Sequence, residues 1–421
     1  MAHMPHLLLQ LAIILSAARI LALLLAKLGQ PPVIGEMIAG IMLGPIVFGA
    51  LAPETHAWLF PRDKIASLEG LSQIGLVLFM FVVGAEIRLP GGARGGIAKA
   101  TWIGVLGVIL PMLLGLAIAP LLHERFAPAG IGFWPFALFM AASMAITAFP
   151  IMARILKERA MTRTPLGQLA LASAAIADVL AWIMLALVVV LISSHGGWDA
   201  LVRTLAGLVG TALVGFGVLR PLFAKYLARH APDGRPRGAV LGALLIATFA
   251  MAAATEWLGL HPVFGAFLFG ACLPRDDRLL DTLIERIEHV AVLVLMPVFF
   301  ALAGLSTTPD AFTGTGLPAM LLILVVAVVG KVLGAGGGAR IAGLGWRDAG
   351  AIGALMNARA LMELIVMKIG LDAGVIGFEI FTMLMVMAIV TTLMTTPLMT
   401  LFLRDRRSGV ADVGSTVGGK R

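Results

Sequence analysis

Residues 169–192 read LALASAAIADVLAWIMLALVVVLI, apolar throughout except for a single charge, Asp178. At about 1.5 Å of rise per residue the run is long enough to cross the roughly 30 Å hydrocarbon core of a bilayer, and Asp178 then sits near the midplane. Even lenient insertion scales assign about 2.5–3.5 kcal/mol to an ionised carboxylate at that depth, so it needs a partner, a water-filled path or a transported ion. Asp178 is therefore the first functional candidate.

Working outward, the chain keeps this character. It is 60% hydrophobic and 13% charged, with mean hydropathy +1.01, which excludes a soluble globular domain and indicates a polytopic, all-α membrane protein with the lipid bilayer as solvent. The formal charge of +8 comes from basic residues scattered between apolar stretches. They form no basic, aromatic-interleaved surface, so no nucleic acid is expected as a partner. The single cysteine, Cys272, reads as a small apolar helix residue. Residues 6–26 carry Arg19 and run into Gly-Gln-Pro-Pro without a small-residue cleavage site, so they read as a retained helix.

Apolar stretches fall near 6–26, 33–51, 70–87, 101–122, 134–156, 167–192, 199–219, 238–257, 261–273, 289–305, 317–340, 348–369 and 379–402, about thirteen helices by the length rule. Basic residues accumulate in alternate connections: Lys27; Arg88, Arg94 and Lys99; Arg154, Lys157, Arg159 and Arg163; Arg220, Lys225, Arg229, Arg235 and Arg237; Arg275, Arg278 and Arg286; Arg340 and Arg347. Arg404, Arg406 and Arg407 follow in the tail, while the intervening connections carry little beyond Arg62, Lys64 and Arg125. The positive-inside rule then places the N-terminus outside and the C-terminus in the cytoplasm, with an odd number of crossings.

Two parts of the chain repeat. Pro32-Val33-Ile34-Gly35 with Gly40 matches Pro262-Val263-Phe264-Gly265 with Gly270, and Leu78–Gly84 resembles Val298–Gly304. The first copy enters from the cytoplasm and the second from outside, so the halves are inverted. Inverted repeats are a transporter signature that puts the substrate site at the midplane, beside helices broken in their middles.

The fifth stretch holds Thr147-Ala148-Phe149-Pro150 in its interior, where proline removes a hydrogen bond and frees carbonyls suited to sodium or potassium; a kink without a ligand is the alternative. In the inverted half the twelfth stretch carries Asn357-Ala358-Arg359-Ala360, so two opposed breaks are expected. Arg359 and Glu363, four apart, read as a structural pair on one helix face. Lys331 is the one charge of Leu317 to Ala339 in the eleventh stretch; beside Asp178 it lowers the cost of both charges, or else it snorkels to the interface. Glu36 reads as a solvated helix end. No histidine has a second ligand at metal spacing. Gly334, Gly336, Gly337 and Gly338 lie in a membrane helix without a preceding strand and read as close packing, not a phosphate loop.

Gln30-Pro31-Pro32-Val33-Ile34-Gly35-Glu36 with Leu43-Gly44-Pro45, Thr147 to Leu156, Pro297 to Leu305, and Gly353 to Gly370 including Leu361-Met362-Glu363-Leu364-Ile365-Val366 together resemble the monovalent cation:proton antiporters of the bacterial potassium-efflux and plant cation/proton-exchanger branch. The resemblance covers nearly the whole apolar chain. It implies the sodium/proton antiporter fold with crossed broken helices, a homodimer, and an elevator-like exchanger of the cell membrane. It divides the chain into scaffold helices at 1–99 and 237–310, moving core helices at 100–196 and 311–403, a linker at 197–236 and a short cytoplasmic tail at 404–421.

Carried onto this chain, the resemblance makes Asp178 the carboxylate that binds cation or proton alternately, Thr147 a ligand-bearing position, and Lys331 the basic core residue. Ala148, Phe149, Pro150, Ser173, Asn357, Arg359 and Glu363 surround them. Sodium or potassium, with Asp178 and Thr147 as ligands, and the proton are cargo; no cofactor is implied. The family often carries Asn-Asp or Asp-Asp at the carboxylate, whereas this chain has Ala177-Asp178. One-for-one, electroneutral exchange is the simpler expectation, and proton release by Lys331 is the route to an electrogenic one. Potassium-efflux relatives carry a nucleotide-binding domain after the last helix; about twenty residues follow Leu401 here, so gating by such a domain within this chain is not expected. A sodium-coupled organic-anion carrier and a non-transporting membrane sensor are the alternatives. No enzyme is expected, since no nucleophile–base pair or metal cluster shares a segment.

Overall fold

A computed structural model of the chain describes residues 4–61, 64–86, 94–162, 164–193, 198–233, 235–258, 261–274, 276–359 and 361–403. Arg62, Arg88, Arg163, Arg275, Ala360, Arg404, Arg406 and Arg407 lie outside these residues, as does the whole 404–421 tail. Every regular element among the described residues is helical. In chain order they are α1 (Met4–Lys27), α2 (Pro32–Leu43), α3 (Phe48–Leu51), α4 (Pro53–Leu59), α5 (Ile65–Glu86), α6 (Arg94–Phe126), α7 (Phe133–Ala145), α8 (Phe149–Glu158), α9 (Pro165–Ser193) and α10 (Trp198–Val214). There follow α11 (Arg220–His230), α12 (Gly238–Trp257), α13 (Val263–Cys272), α14 (Asp277–Leu283), α15 (Met296–Leu305), α16 (Gly316–Ile341), α17 (Trp346–Met356), α18 (Leu361–Asp372) and α19 (Phe378–Leu403).

Among the described residues, 10 helices are long and apolar enough to cross a membrane. The other three apolar stretches of the sequence are α13, which is 10 residues long, and the interrupted pairs α7–α8 and α17–α18. None of these reaches a crossing length in one unbroken piece, which is why the sequence count of about thirteen and the count of long helices differ.

Two further boundaries depart from the sequence reading. The seventh stretch does not stop at 219. It continues through a π-helical turn at Gly215–Leu219 into α11, so Arg220, Lys225 and Arg229 stand on a helix and not in a loop. Pro221 supplies the reason: its ring crowds the carbonyl a turn earlier, and the wider π turn takes up the mismatch. The tenth stretch likewise begins earlier, at Arg278, and includes two π turns, Ile284–Glu288 and Ala291–Leu295.

The chain divides into two compact units. The first comprises Met1–Arg88, Leu185–Asp310 and Lys368–Thr382, and its packing displays the repeat directly. A Cβ on Gly35 would strike the Ala22 backbone of α1, and one on the matching Gly265 would strike Met251 of α12. A Cβ on Gly40 of α2 would overlap the Phe300 carbonyl of α15, while one on the matching Gly270 of α13 would overlap the Phe81 carbonyl of α5. Gly84 and Gly304 close the same contacts from the other side. Equivalent glycines thus meet corresponding helices, with the two copies exchanged in the Gly40 and Gly270 contacts, as a two-fold relation between repeats requires. Glu36 is buried inside α2 and is not a solvated helix end.

The second unit comprises Leu89–Met184, Ala311–Met367 and Met383–Arg421. Its central contact is α6 against α16. Gly330, Gly334 and Gly338, one per turn, leave no room for a Cβ: those added would lie 2.9 Å from Pro111 Cα, 2.5 Å from Leu106 O and 2.7 Å from Trp102 O. A Cβ on Gly336 would lie 3.3 Å from the Ala349 carbonyl oxygen of α17, and one on Gly337 would meet nothing within 4 Å. The small residues of α16 are therefore a packing device, and they bring the neighbouring Lys331 into the middle of the unit.

Candidate functional site

Two helices of the second unit are interrupted, and the interruptions touch. Between α7 and α8 the chain is non-helical over residues 146–148, with Ile146 extended. Between α17 and α18 it unwinds from Asn357. The Ala148 N–H donates to the Ala358 carbonyl at 3.0 Å, so one backbone bond joins the two breaks. Pro150 does not kink a continuous helix, the alternative that the sequence left open. It is the second residue of α8, a first-turn position where a missing N–H leaves nothing unpaired.

A broken helix presents two unlike ends: carbonyls at the C-terminus of its first half and amides at the N-terminus of its second. At the end of α7, the Arg359 guanidinium donates to Ser143 O at 3.0 Å and Met144 O at 2.8 Å. Lys331 Nζ donates to Ala145 O. These three carbonyls are occupied by two fixed positive side chains. At the start of α8 the sign reverses: the Phe149 N–H donates to Asp178 Oδ2 at 3.3 Å. Asp178 is buried in α9, and its Oδ1 has no partner among the described residues. One carboxylate oxygen is thus held by a helix N-terminus and the other is open to a proton or a metal ion.

Lys331 does not snorkel; it is fully buried. Nor does it grip the carboxylate, since its three donors go to Ala145 O, Gly107 O at 3.0 Å and Thr147 Oγ1 at 2.7 Å. Its charge acts on Asp178 through space, not by contact. The Thr147 hydroxyl lies between the lysine and the break. Ser173 stands aside, its hydroxyl turned onto Leu169 O of its own helix at 2.7 Å.

Arg359 and Glu363 pair at 3.2 Å, both fully buried. The pair spans the break into α18, so the guanidinium ties together α7, the second break and, through Ala327 O at 3.4 Å, α16. Asn357 Nδ2 reaches Thr391 O at 3.3 Å, and the Arg359 N–H donates to Thr392 Oγ1 at 3.1 Å. Asn357 Oδ1 and Glu363 Oε2 are buried without partners among the described residues.

Sequence reasoning missed the threonines of α19 that hold the second break, and the Gly107 carbonyl. Only the latter left a signal. Pro111, inside α6, has no amide for the carbonyl four residues earlier.

The match to the family of sodium/hydrogen exchangers, transmembrane, runs over residues 12–403. The chain belongs to this family. Within it, the chain is 37% identical to the Na(+)/H(+) antiporter NhaS4 of Synechocystis sp., over 92% of this chain and 94% of that protein. It is 34% identical to the K(+)/H(+) antiporter 1 of Saccharomyces cerevisiae, over 97% of this chain. Against the yeast exchanger and the plant cation/H(+) antiporters it spans only about half of their length. Among solved structures it is similar to the sodium proton antiporter MjNhaP1 of Methanocaldococcus jannaschii, with TM-score 0.58 and 14% identity over 95% of this chain and 99% of that one. That likeness shows the exchanger fold.

Proposed function

We propose that the protein is a secondary active antiporter that exchanges a monovalent cation, sodium or potassium, for protons across the cell membrane. Family membership and the relatives named Na(+)/H(+) and K(+)/H(+) antiporters support the exchange itself. The observation that carries the site assignment is Asp178: a buried carboxylate with one oxygen on the Phe149 amide and the other unpartnered. A proton or a dehydrated cation binds the open oxygen, and each excludes the other.

Coupling follows from that exclusion. Only a loaded, charge-compensated Asp178 crosses the barrier, in an elevator-like, alternating-access cycle whose moving part is the unit that carries it. Thr147 and water complete the cation's shell. Lys331, bonded to Thr147 and to the end of α7, fixes positive charge beside the site and disfavours the empty crossing of further cations. A homodimer, an external N-terminus and a cytoplasmic C-terminus complete the reading.

Asp178→Asn tests it. In proteoliposomes loaded with a pH dye the variant is folded and shows no cation-driven proton flux, with lithium, sodium, potassium and rubidium compared. Flux at the wild-type rate in that variant refutes the assignment.

A further inference from the structure

We propose that Thr392, on α19, is a positioning residue for Asp178: its hydroxyl fixes one peptide unit of the second break, and that unit fixes the amide that holds the carboxylate. The inference rests on the reading of Asp178 as the cargo-binding group. All the residues it uses belong to the second unit.

The peptide that joins Ala358 to Arg359 is gripped on both of its polar edges. Its N–H donates to Thr392 Oγ1 at 3.1 Å, and its carbonyl accepts from the Ala148 N–H at 3.0 Å. In a planar trans peptide these two groups point to opposite sides and turn together. A side chain that fixes the N–H therefore also aims the carbonyl at the first break. Thr392 is fully buried, and its own proton goes to Ala388 O of α19 at 2.7 Å, which leaves its lone pairs for the Arg359 amide. The neighbouring Thr391 carbonyl takes Asn357 Nδ2 at 3.3 Å, so Ala358 is fastened to α19 on either side.

From Ala148 the path to the carboxylate is one more peptide unit. The Ala148 carbonyl accepts from the Met152 N–H at 3.1 Å and so begins α8. The N–H of that same peptide belongs to Phe149 and donates to Asp178 Oδ2 at 3.3 Å. Ala148 is thus pinned through its N–H to the second break and through its carbonyl to α8, and the direction of the Phe149 amide follows from the two. A bond of 3.3 Å is already at the long end of the range, so a small rotation of either plane loses it. The carboxylate is then free to turn, and its open oxygen no longer faces one fixed direction.

Thr392→Val keeps the shape and removes the acceptor. In proteoliposomes at fixed pH its apparent KM for the cation rises about three- to tenfold, the worth of one lost hydrogen bond, while the maximal rate holds. Thr392→Ser keeps the hydroxyl and restores the wild-type KM. Thr392→Ala, which removes the hydroxyl without a second methyl, gives the same rise and replaces a valine variant that fails to fold. Thr400→Val is the control, because that hydroxyl bonds to Thr396 O and Pro397 O of its own helix, and its KM is that of the wild type. A KM unchanged without the Thr392 hydroxyl, a serine variant no better than valine, or a fall in maximal rate alone overturns the proposal. Deuterium uptake by peptides covering residues 145–152, measured in detergent, reads the same relay without transport. Uptake there quickens in Thr392→Val and not in Thr392→Ser; equal uptake in both overturns the relay. If wild-type liposomes show no exchange the functional reading falls, and the deuterium measurement still decides whether Thr392 holds the first break.

Discussion

The amide of Phe149 and the carboxylate of Asp178 meet at 3.3 Å, which puts the N-terminal end of one half-helix against the only acid of α9's apolar run. The first half of the same helix ends on Arg359 and Lys331. Each end of the broken helix therefore faces the charge that its own backbone dipole favours. The break is a way of holding an acid and two bases in apolar surroundings, and Oδ1 of the acid has no partner among the described residues.

Thr147 links the lysine to the break, and its hydroxyl is the part that matters. Thr147→Ser keeps an acceptor for Lys331 Nζ and retains most of the wild-type exchange rate. Thr147→Val, of similar shape, leaves one ammonium donor unpaired at a cost of about 1–3 kcal/mol, and its exchange falls at least tenfold. Initial rates of dye quenching in liposomes check both variants.

Arg359 is asked to serve two α7 carbonyls, Ala327 O and Glu363 at once. Lysine cannot reproduce that fork. Arg359→Lys therefore destabilises the protein, as does Glu363→Gln, which leaves the guanidinium without its counter-charge. Breaking one member of a buried pair costs about 3–5 kcal/mol, and thermal unfolding in detergent should show a lowered midpoint for each.

The glycines of α16 separate packing from propensity within one helix. Gly334→Ala drives a methyl to 2.5 Å from Leu106 O and costs about 1–3 kcal/mol. Gly337→Ala meets open space and stabilises by about 0.5–1 kcal/mol through helix propensity alone. Opposite shifts of the melting temperature are the expected result.

These contacts also show what the sequence made legible. Asp178, Lys331 and the polar residues of both breaks stood out because a charge or amide in an apolar run is visible one residue at a time. The repeat stood out because Gly35, Gly40 and Gly84 recur at Gly265, Gly270 and Gly304. What Lys331 bonds to was not visible, since two of its three partners are backbone carbonyls, which every residue has. Pro111 was the one trace, and it reads as an ordinary membrane-helix proline until α16 is laid against it. The end of the seventh helix was misplaced because Arg220, Lys225 and Arg229 look like a loop on composition, although α11 carries them on helical turns.

Before the first residue of α13, which begins at Val263 and not at 261, His261 gives a pH dependence of stability. Burial pushes its imidazole down from 6.5 to about 4, with Asp372 opposing the shift and Lys368 adding to it. The folded value is the lower one, so the native state stays neutral while the unfolded chain takes up a proton as pH falls below 6.5. The stabilisation is complete above that pH and is lost progressively toward about 4, with a slope approaching one proton. His261→Gln flattens this part of the curve. Melting temperatures of the two proteins, compared from pH 7.5 to 4.5, isolate the histidine from the carboxylates that titrate in both.

The competition proposed at Asp178 makes a quantitative demand that simple co-binding does not. One oxygen is held by Phe149 and one is open, so a bound cation and a bound proton cannot share the group. Below the pH at which the carboxylate takes up its proton, the apparent cation affinity must fall by about tenfold per pH unit, and cation addition must release close to one proton per site. Above that pH the affinity becomes constant and proton release stops. Asp178→Asn shows neither effect, because its amide cannot exchange a proton for a metal ion. Calorimetry in two buffers of different ionisation enthalpy, run with detergent-solubilised protein across the pH range, measures affinity and proton release together. A cation affinity that stays flat through the range in which protons are released would mean that the two cargoes occupy separate groups, and the single-carboxylate exchange would have to be abandoned.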